Sequence, residues 1–149
     1  MTQRTSIVAA IMIVMAVAAP TSFAALSQSY AGGKVTMRIA GANNGQDVTN
    51  GGVAGRGHFT ASGAITDKGT VVAYRTVKGS LPGGLITLRF VTFGKKGTIT
   101  FVVKIATSVG TSRWTITSGT KAYKGLHGKG TERENADHTV STLTGTVLR

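Results

Sequence analysis

Hydrophobic and polar residues alternate along the segment GTITFVVKIATSV, residues 97–109. Every second residue from Ile99 to Ile105 is large and apolar, so these side chains fall on one face of an extended chain. This period of two predicts a half-buried β-strand. The next segment, SRWTIT, repeats the pattern with Trp114 and Ile116 inward, and the short link that contains Gly110 predicts a hairpin between the two strands.

Strand patterns recur along most of the remaining chain. Threonine and valine are frequent, and both suit a pleated surface, while glycines recur at intervals that would break a helix. The predicted inward residues are clearest in KVTMRIA and GLITLRF: Val35, Met37, Ile39, Ile86, Leu88 and Phe90. Gly145, inside the last segment, predicts a bulge or a close crossing of strands. The chain is therefore all-β, with about eight strands, a number that fits a sandwich or a small barrel.

Glycine-rich segments predict the connections between these strands. GKKG and SLPGG have turn compositions, Gly63 predicts a kink, and residues 67–69 predict a turn. Residues 40–57, AGANNGQDVTNGGVAGRG, lack a strand pattern and predict a flexible Gly/Asn-rich surface loop. A loop of this length is either a binding element or a tolerated insertion.

The first 24 residues have the three parts of a secretory signal peptide. Arg4 lies in a polar start, residues 7–19 form an unbroken apolar run, and Pro20 precedes small residues that predict cleavage after Ala24. The run is too short for a membrane-spanning helix, which needs roughly 20 apolar residues. We therefore expect a cleaved N-terminal signal helix at residues 1–24, a secreted or periplasmic protein, and one domain at residues 25–149 with no membrane span.

Charge and cysteine content narrow the classes of function. Lysine and arginine number 17 against five acids, which gives a formal net charge of +12, and one of these charges leaves with the signal peptide. Such an excess favours attraction to polyanions, although scattered cations also keep an exported protein soluble. The chain has no cysteine, so packing and backbone pairing must stabilise the domain without disulfides.

The segment SGTKAYKGLHGKGT, residues 118–131, is the strongest candidate for chemistry. Its glycine spacing differs from that of a phosphate-binding loop, and no helix is predicted after it. Four nearby polar residues are candidate metal ligands: His127, Glu132, Glu134 and His138. In a strand, however, His127 falls on the opposite face from Glu132 and Glu134. We expect no metal and no cofactor. The segment fits a tight corner of the sheet, plugged by side chains that include Tyr123 and Leu126.

Other catalytic arrangements have little support in the sequence. Asp137 and His138 are adjacent, so in a strand they point to opposite faces, and no G-x-S-x-G motif supplies a nucleophile. No pair of carboxylates is marked for glycoside cleavage. Nucleic acid is not an expected partner either, because the candidate stacking residues are Tyr74 with Arg75 and Tyr123 between Lys121 and Lys124, and tyrosines at the edge of a core explain both positions.

The run RWTITSGTKAYKGLHGKGT resembles a W-x-I-x-x-G-T-G-x-Y-A-G-L-x-G-x-G-T signature of small secreted bacterial proteins related to the allene oxide cyclase-like and dirigent-like barrels. GRGHFTASGAITDKGT and GTITFVVK are similar to earlier strands of that group, so the resemblance covers residues 56–149. It implies a closed, antiparallel, eight-stranded barrel, assembled in some plant relatives as dimers or trimers. Lys121 and Lys124 depart from the signature, and no pocket residue of the plant enzymes can be carried over to this chain.

The sequence thus predicts an exported, non-enzymatic barrel that binds a small apolar ligand or an anionic polymer of the cell envelope. The candidate binding residues lie at the barrel corner and on the basic surface: Lys121, Tyr123, Lys124 and His127. An enzyme of the cyclase or isomerase type acting in the lumen, a structural envelope protein, and assembly as a homo-oligomer are the alternatives.

Overall fold

The computed structural model describes residues 32–42, 50–80, 84–106 and 111–149. The predicted signal peptide lies outside the described residues. So do residues 43–49 of the predicted loop, residues 81–83 of the SLPGG turn, and residues 107–110 of the predicted hairpin link.

Within these described residues, eight antiparallel strands form a closed barrel in which each strand pairs with the next and the last pairs with the first. The strands are β1 (Gly33–Ala40), β2 (Asn50–Gly63), β3 (Asp67–Lys78), β4 (Leu85–Gly94), β5 (Gly97–Ala106), β6 (Thr111–Gly119), β7 (His127–Glu134) and β8 (Val140–Leu148). The prediction of an all-β closed antiparallel barrel is confirmed. A single turn of 3-10 helix, Lys121–Tyr123, lies between β6 and β7.

Alternation along the strands directs one set of side chains into the barrel, as predicted. The predicted inward residues of β1, β4, β5 and β6 form one buried cluster, against which Ile86 and Ile105 pack. Phe90 and Phe101 stack at its centre with ring centroids 5.2 Å apart. Burial of apolar surface contributes about 25 cal/mol per Å². In a chain without disulfides, this cluster is the main source of stability.

The barrel interior is filled by side chains. The apolar cavity at its centre measures about 10 Å³, and its lining includes Met37, Phe101 and Trp114. A cavity of roughly 10–15 Å³ holds one water molecule at most. Thr92 is a polar residue in this interior, and its hydroxyl both donates to the Ile99 carbonyl at 3.0 Å and accepts the Ile99 N–H at 3.1 Å.

Glycines in β7 and β8 make room for the indole of Trp114. A Cβ at Gly130 would lie 2.7 Å from Trp114 Nε1, and one at Gly145 would lie 2.6 Å from Trp114 Cζ2. The indole N–H donates to the Thr144 carbonyl at 3.1 Å. Strand pairing is regular through Gly145, so the close approach predicted there is confirmed and the alternative of a bulge is wrong.

Part of the predicted loop at residues 40–57 is β-strand in the structure. Residues 50–57 belong to β2 and pair with β3 through an irregular register between Asn50 and Gly55. The glycine-rich composition was misleading here because these glycines allow close contact between backbone segments. A Cβ at Gly55 or Gly57 would overlap the backbone around Ala40 and Ala42.

The turn predicted at residues 67–69 is also displaced. β2 ends at Gly63, where φ is 89°, and β3 already begins at Asp67, so the turn occupies residues 64–66. Ala64 N–H donates to the Lys34 carbonyl at 2.8 Å, which ties this turn to β1. Asp67 is of a residue type that is common in turns, but here it begins β3, and its carboxylate accepts hydrogen bonds from the β4–β5 turn.

Candidate functional site

One end of the barrel is closed by the connection between β6 and β7, and we call it the plugged end. The 3-10 turn carries Tyr123 under the barrel, and the Leu126 N–H donates to the Tyr123 carbonyl at 3.0 Å. Tyr123 is 1% exposed and Leu126 is 3% exposed, and both belong to the core cluster together with Ile65. The prediction that Tyr123 and Leu126 plug the barrel end is confirmed.

The Asp67 carboxylate joins three connections at the plugged end. Its Oδ1 accepts the N–H groups of Lys68 at 2.9 Å and Lys95 at 3.3 Å. Its Oδ2 accepts the Lys96 N–H at 3.2 Å and the Tyr123 hydroxyl at 2.7 Å. The start of β3, the β4–β5 turn and the plug are therefore tied to one side chain.

These hydrogen bonds favour the charged form of the carboxyl group. Burial alone would raise the pKa of Asp67, but the bonds from Tyr123 and from three backbone N–H groups outweigh burial and lower this pKa below its ordinary value of 3.8. Asp67 is therefore ionised at neutral pH, and these hydrogen bonds stabilise its negative charge.

Seven exposed lysines surround the same end, and we call them the plugged-end lysines. They are Lys34, Lys68, Lys95, Lys96, Lys121, Lys124 and Lys129. Backbone hydrogen bonds bring several of them together: Ala122 N–H donates to the Lys96 carbonyl at 3.2 Å, and Lys124 N–H donates to the Lys121 carbonyl at 3.1 Å. On the other side of the barrel, Lys34 and Lys129 flank Thr146 on adjacent strands.

The acidic residues of the described chain are segregated from these lysines. Asp67 is the one carboxylate side chain at the plugged end in the described ranges, whereas Glu132, Glu134 and Asp137 lie at the opposite end, in and after β7. Seven lysines therefore share the plugged end with one carboxylate side chain, whereas the described cations of the opposite end, among them Lys104, Arg113 and Arg133, lie near three acids.

The four residues predicted as a binding site are separated by depth and position. Lys121 and Lys124 are exposed on the outer side of the plug, but Tyr123 lies beneath them in the core. His127 is exposed at the start of β7, where it lines a surface groove of about 260 Å³ with Lys129 and Leu148. Two of the four residues therefore share the basic surface around the plug, and Tyr123 supports that surface from inside.

Sequence reasoning did not select the other five plugged-end lysines or Phe93. Each of these lysines lies in a turn or within three residues of a strand end, and the order of strands in an up-and-down barrel brings these positions to the same end. Counting strands from the sequence would assign alternate turns to one end of the barrel. Such a count would place Lys68 and the Lys95–Lys96 turn at the same end, and it is the signal in the sequence that could have identified this surface.

Residues at the opposite end form a separate polar group. The side chain of Glu132 is hydrogen-bonded by Ser141 and Ser112 inside the barrel rim. Burial raises the pKa of Glu132 above its ordinary value of 4.5, and these two bonds offset part of that rise. In the β7–β8 turn, His138 Nδ1 lies 2.6 Å from Glu134 Oε2, and this hydrogen bond raises the pKa of His138 above 6.5.

The residues weighed as a metal site do not converge. His127 begins β7 at the plugged end, whereas Glu132, Glu134 and His138 lie at the opposite end. Within residues 32–42, 50–80, 84–106 and 111–149, no three His, Asp or Glu side chains are grouped so as to hold a metal ion.

Comparisons with known proteins do not assign this chain: no protein-family model matches it, and no curated protein shows significant similarity to it. In the part of the chain that the structure describes, no helical segment has both the length and the hydropathy that a membrane crossing would need.

Proposed function

We propose that this chain is an exported, non-enzymatic barrel protein that binds an anionic polymer of the cell envelope through the plugged-end lysines. The observation that carries the proposal is the segregation of charge, with seven exposed lysines at one end and three of the four described acids at the other. The polar start, apolar run and small residues of the first 24 positions support export. The motif and the barrel also support kinship with the allene oxide cyclase-like and dirigent-like group.

Packing of the lumen favours this ligand over a small apolar molecule. Ligand pockets usually measure about 300–1,000 Å³, whereas the central cavity here measures about 10 Å³. An apolar ligand or a substrate in the lumen would have to displace core side chains such as Phe101 and Trp114. Binding at the outer surface needs no such rearrangement.

The rigid support of the lysines also favours binding. Lys68, Lys95 and Lys96 all contribute backbone N–H groups to the Asp67 carboxylate, so their main chains are fixed relative to one another. Long lysine side chains then reach a polymer from a defined base while keeping their ammonium groups in water.

Two variants with the same change in net charge test the proposal. The plugged-end variant replaces five lysines by glutamine: Lys68, Lys95, Lys96, Lys121 and Lys124. The control variant replaces five exposed cations on the wall and at the opposite end by glutamine: Arg38, Lys78, Lys104, Arg113 and Arg133.

Binding is measured by fluorescence anisotropy with labelled polygalacturonate and labelled polyphosphate over a series of salt concentrations. A cation near an anionic surface contributes about 1 kcal/mol. The plugged-end variant should therefore lose at least about tenfold in affinity, with a shallower salt dependence, and the control variant should lose much less. Equal losses in the two variants, or binding that does not respond to salt, would refute the proposal.

A further inference from the structure

Phe93 is a large aromatic side chain exposed on the outer wall near the plugged end. It is 47% exposed, although it lies in the ordered strand β4. Strand pairing places it in a row across three hairpins, with Thr70 on one side and Thr98 on the other, and His58 next to Thr70. Because neighbouring strands are about 4.8 Å apart, His58 and Phe93 are separated by about 10 Å along this row.

An open groove of about 600 Å³ contains three residues of this row, His58, Thr70 and Phe93. Its side chains combine an aromatic ring, neutral polar groups and two cations: His58, Thr60, Lys68, Thr70, Phe93 and Lys95. Lys68 and Lys95 are both plugged-end lysines, so the groove is continuous with the basic surface described above. A single exposed aromatic residue would need no explanation, but one set between hydroxyls and two lysines has the composition of a binding site.

We infer that this groove is a sugar subsite, in which Phe93 stacks against a ring of an acidic polysaccharide while Lys68 and Lys95 hold its carboxylates. The inference rests on the proposed binding of polyanions and names the class of polymer. The C–H face of a pyranose ring is apolar and packs on an aromatic face. The ring edges carry hydroxyls that match Thr60, Thr70 and His58, and uronate carboxylates match the two ammonium groups.

The described surface fits other anionic partners less well. Proteins that bind single-stranded nucleic acid stack successive bases on several aromatic side chains. In the described ranges, Phe93 is the one aromatic residue that is largely exposed, and the ring of Tyr74 is covered by the Arg89 guanidinium at 4.0 Å. A lipid surface would need a broad apolar face. Among the residues that the structure describes at this end, the other large apolar side chain that is exposed is Leu148, which is on β8, opposite β4 in the ring of strands.

The test compares Phe93→Ala with Phe93→Tyr and with Val53→Ala, which shortens an exposed apolar side chain that is 39% exposed on β2. The probes are polygalacturonate, which is a polymer of an acidic sugar, polyphosphate, which contains no sugar, and vesicles of phosphatidylglycerol. Thermal unfolding by circular dichroism checks that each variant folds.

Phe93→Ala should weaken binding of polygalacturonate roughly tenfold, the size of one lost ring-stacking contact, and leave binding of polyphosphate unchanged. Phe93→Tyr should keep the affinity because it keeps the ring, and Val53→Ala should behave as wild type. Equal effects of Phe93→Ala on both polymers, or no effect on either, would overturn the sugar subsite. Selective loss of vesicle binding would overturn it in favour of a lipid partner. The five-lysine variant decides separately whether the basic surface binds polyanions at all.

Discussion

Asp67→Asn should destabilise the barrel, because it replaces the charged acceptor at the plugged end by an amide. The carboxylate accepts four hydrogen bonds, two on each oxygen, and the amide keeps one acceptor oxygen. Hydrogen bonds to charged groups contribute about 1.5–3 kcal/mol each when buried. Because the site is only partly buried, we expect the two lost bonds to cost about 2–3 kcal/mol in total. For a domain of this size, such a loss should lower the midpoint of thermal unfolding by roughly 10 °C.

The loss should depend on pH in a defined direction. The pKa of Asp67 is lower in the folded chain than its ordinary value of 3.8. Its contribution to stability is therefore complete above the unfolded pKa and disappears as the pH falls through the folded pKa. Wild type and Asp67→Asn should differ most near neutral pH and converge in strong acid.

Urea unfolding, followed by circular dichroism at several pH values, measures this difference directly. Tyr123→Phe removes one of the four donors and should give a smaller loss, and the double variant should lose less than the sum of the two single variants. If the free-energy difference between wild type and Asp67→Asn were the same at neutral pH and below about pH 3, the carboxylate would not be acting through its charge. That result would refute the role assigned to Asp67.

Three further substitutions test other parts of the barrel. Lys121 has a φ of 51°, a left-handed conformation that costs a residue with a Cβ about 1–2 kcal/mol. Lys121→Gly should therefore stabilise the domain by up to about 1 kcal/mol in urea unfolding. A loss of stability would contradict this expectation. Gly130→Ala should cost at least about 1–3 kcal/mol and shift the emission of Trp114, because the new Cβ would overlap the Thr144 carbonyl oxygen and lie 2.7 Å from the indole nitrogen. An unchanged midpoint would contradict the close packing of β7 against β8 at this position. Glu132→Gln should stabilise the protein near neutral pH and have little effect in acid. The pKa of Glu132 is raised in the folded chain, so the stability of the wild type falls as Glu132 loses its proton. A gain in stability that is the same at every pH would contradict this reasoning.

Local periodicity was sufficient to predict the interior of most strands. From Ile99 to Val103 and from Trp114 to Ile116, alternate apolar residues are buried as the pattern indicates, and Ile105 is partly buried. Each of these predictions depends only on near neighbours in the sequence, because the pleat alone decides which face a side chain takes.

Contacts between distant residues were not predictable in this way. Asp67 and Tyr123 are separated by 56 positions, and nothing near Asp67 identifies it as a hydrogen-bond acceptor for the plug. Likewise, Gly55 and Gly57 have the composition of a loop, yet their missing side chains allow β2 to pass close to the backbone at Ala40 and Ala42. The role of such residues depends on which strands become neighbours, and a single sequence does not contain that information in its local pattern.

The candidate surface was found only in part for the same reason. Lys121 and Lys124 stood out because they depart from a motif, whereas Lys68 at the start of β3 and Lys95 in the β4–β5 turn carry no local signal. They become one surface only when the order of strands brings their hairpins to the same end of the barrel.

The pairing of β8 with β1 has a consequence for how the chain reaches its native state. Seven of the eight strand pairs join neighbours in sequence and can form as local hairpins, but the eighth joins the two ends of the barrel across more than 90 residues. Such a contact carries the largest loop-closure entropy and should form late. Until β8 has been synthesised, β1 keeps an unpaired edge that can recruit another chain. Aggregation should therefore compete with folding mainly before β8 pairs with β1. Substitutions along this pair of strands should change refolding yield more than equilibrium stability.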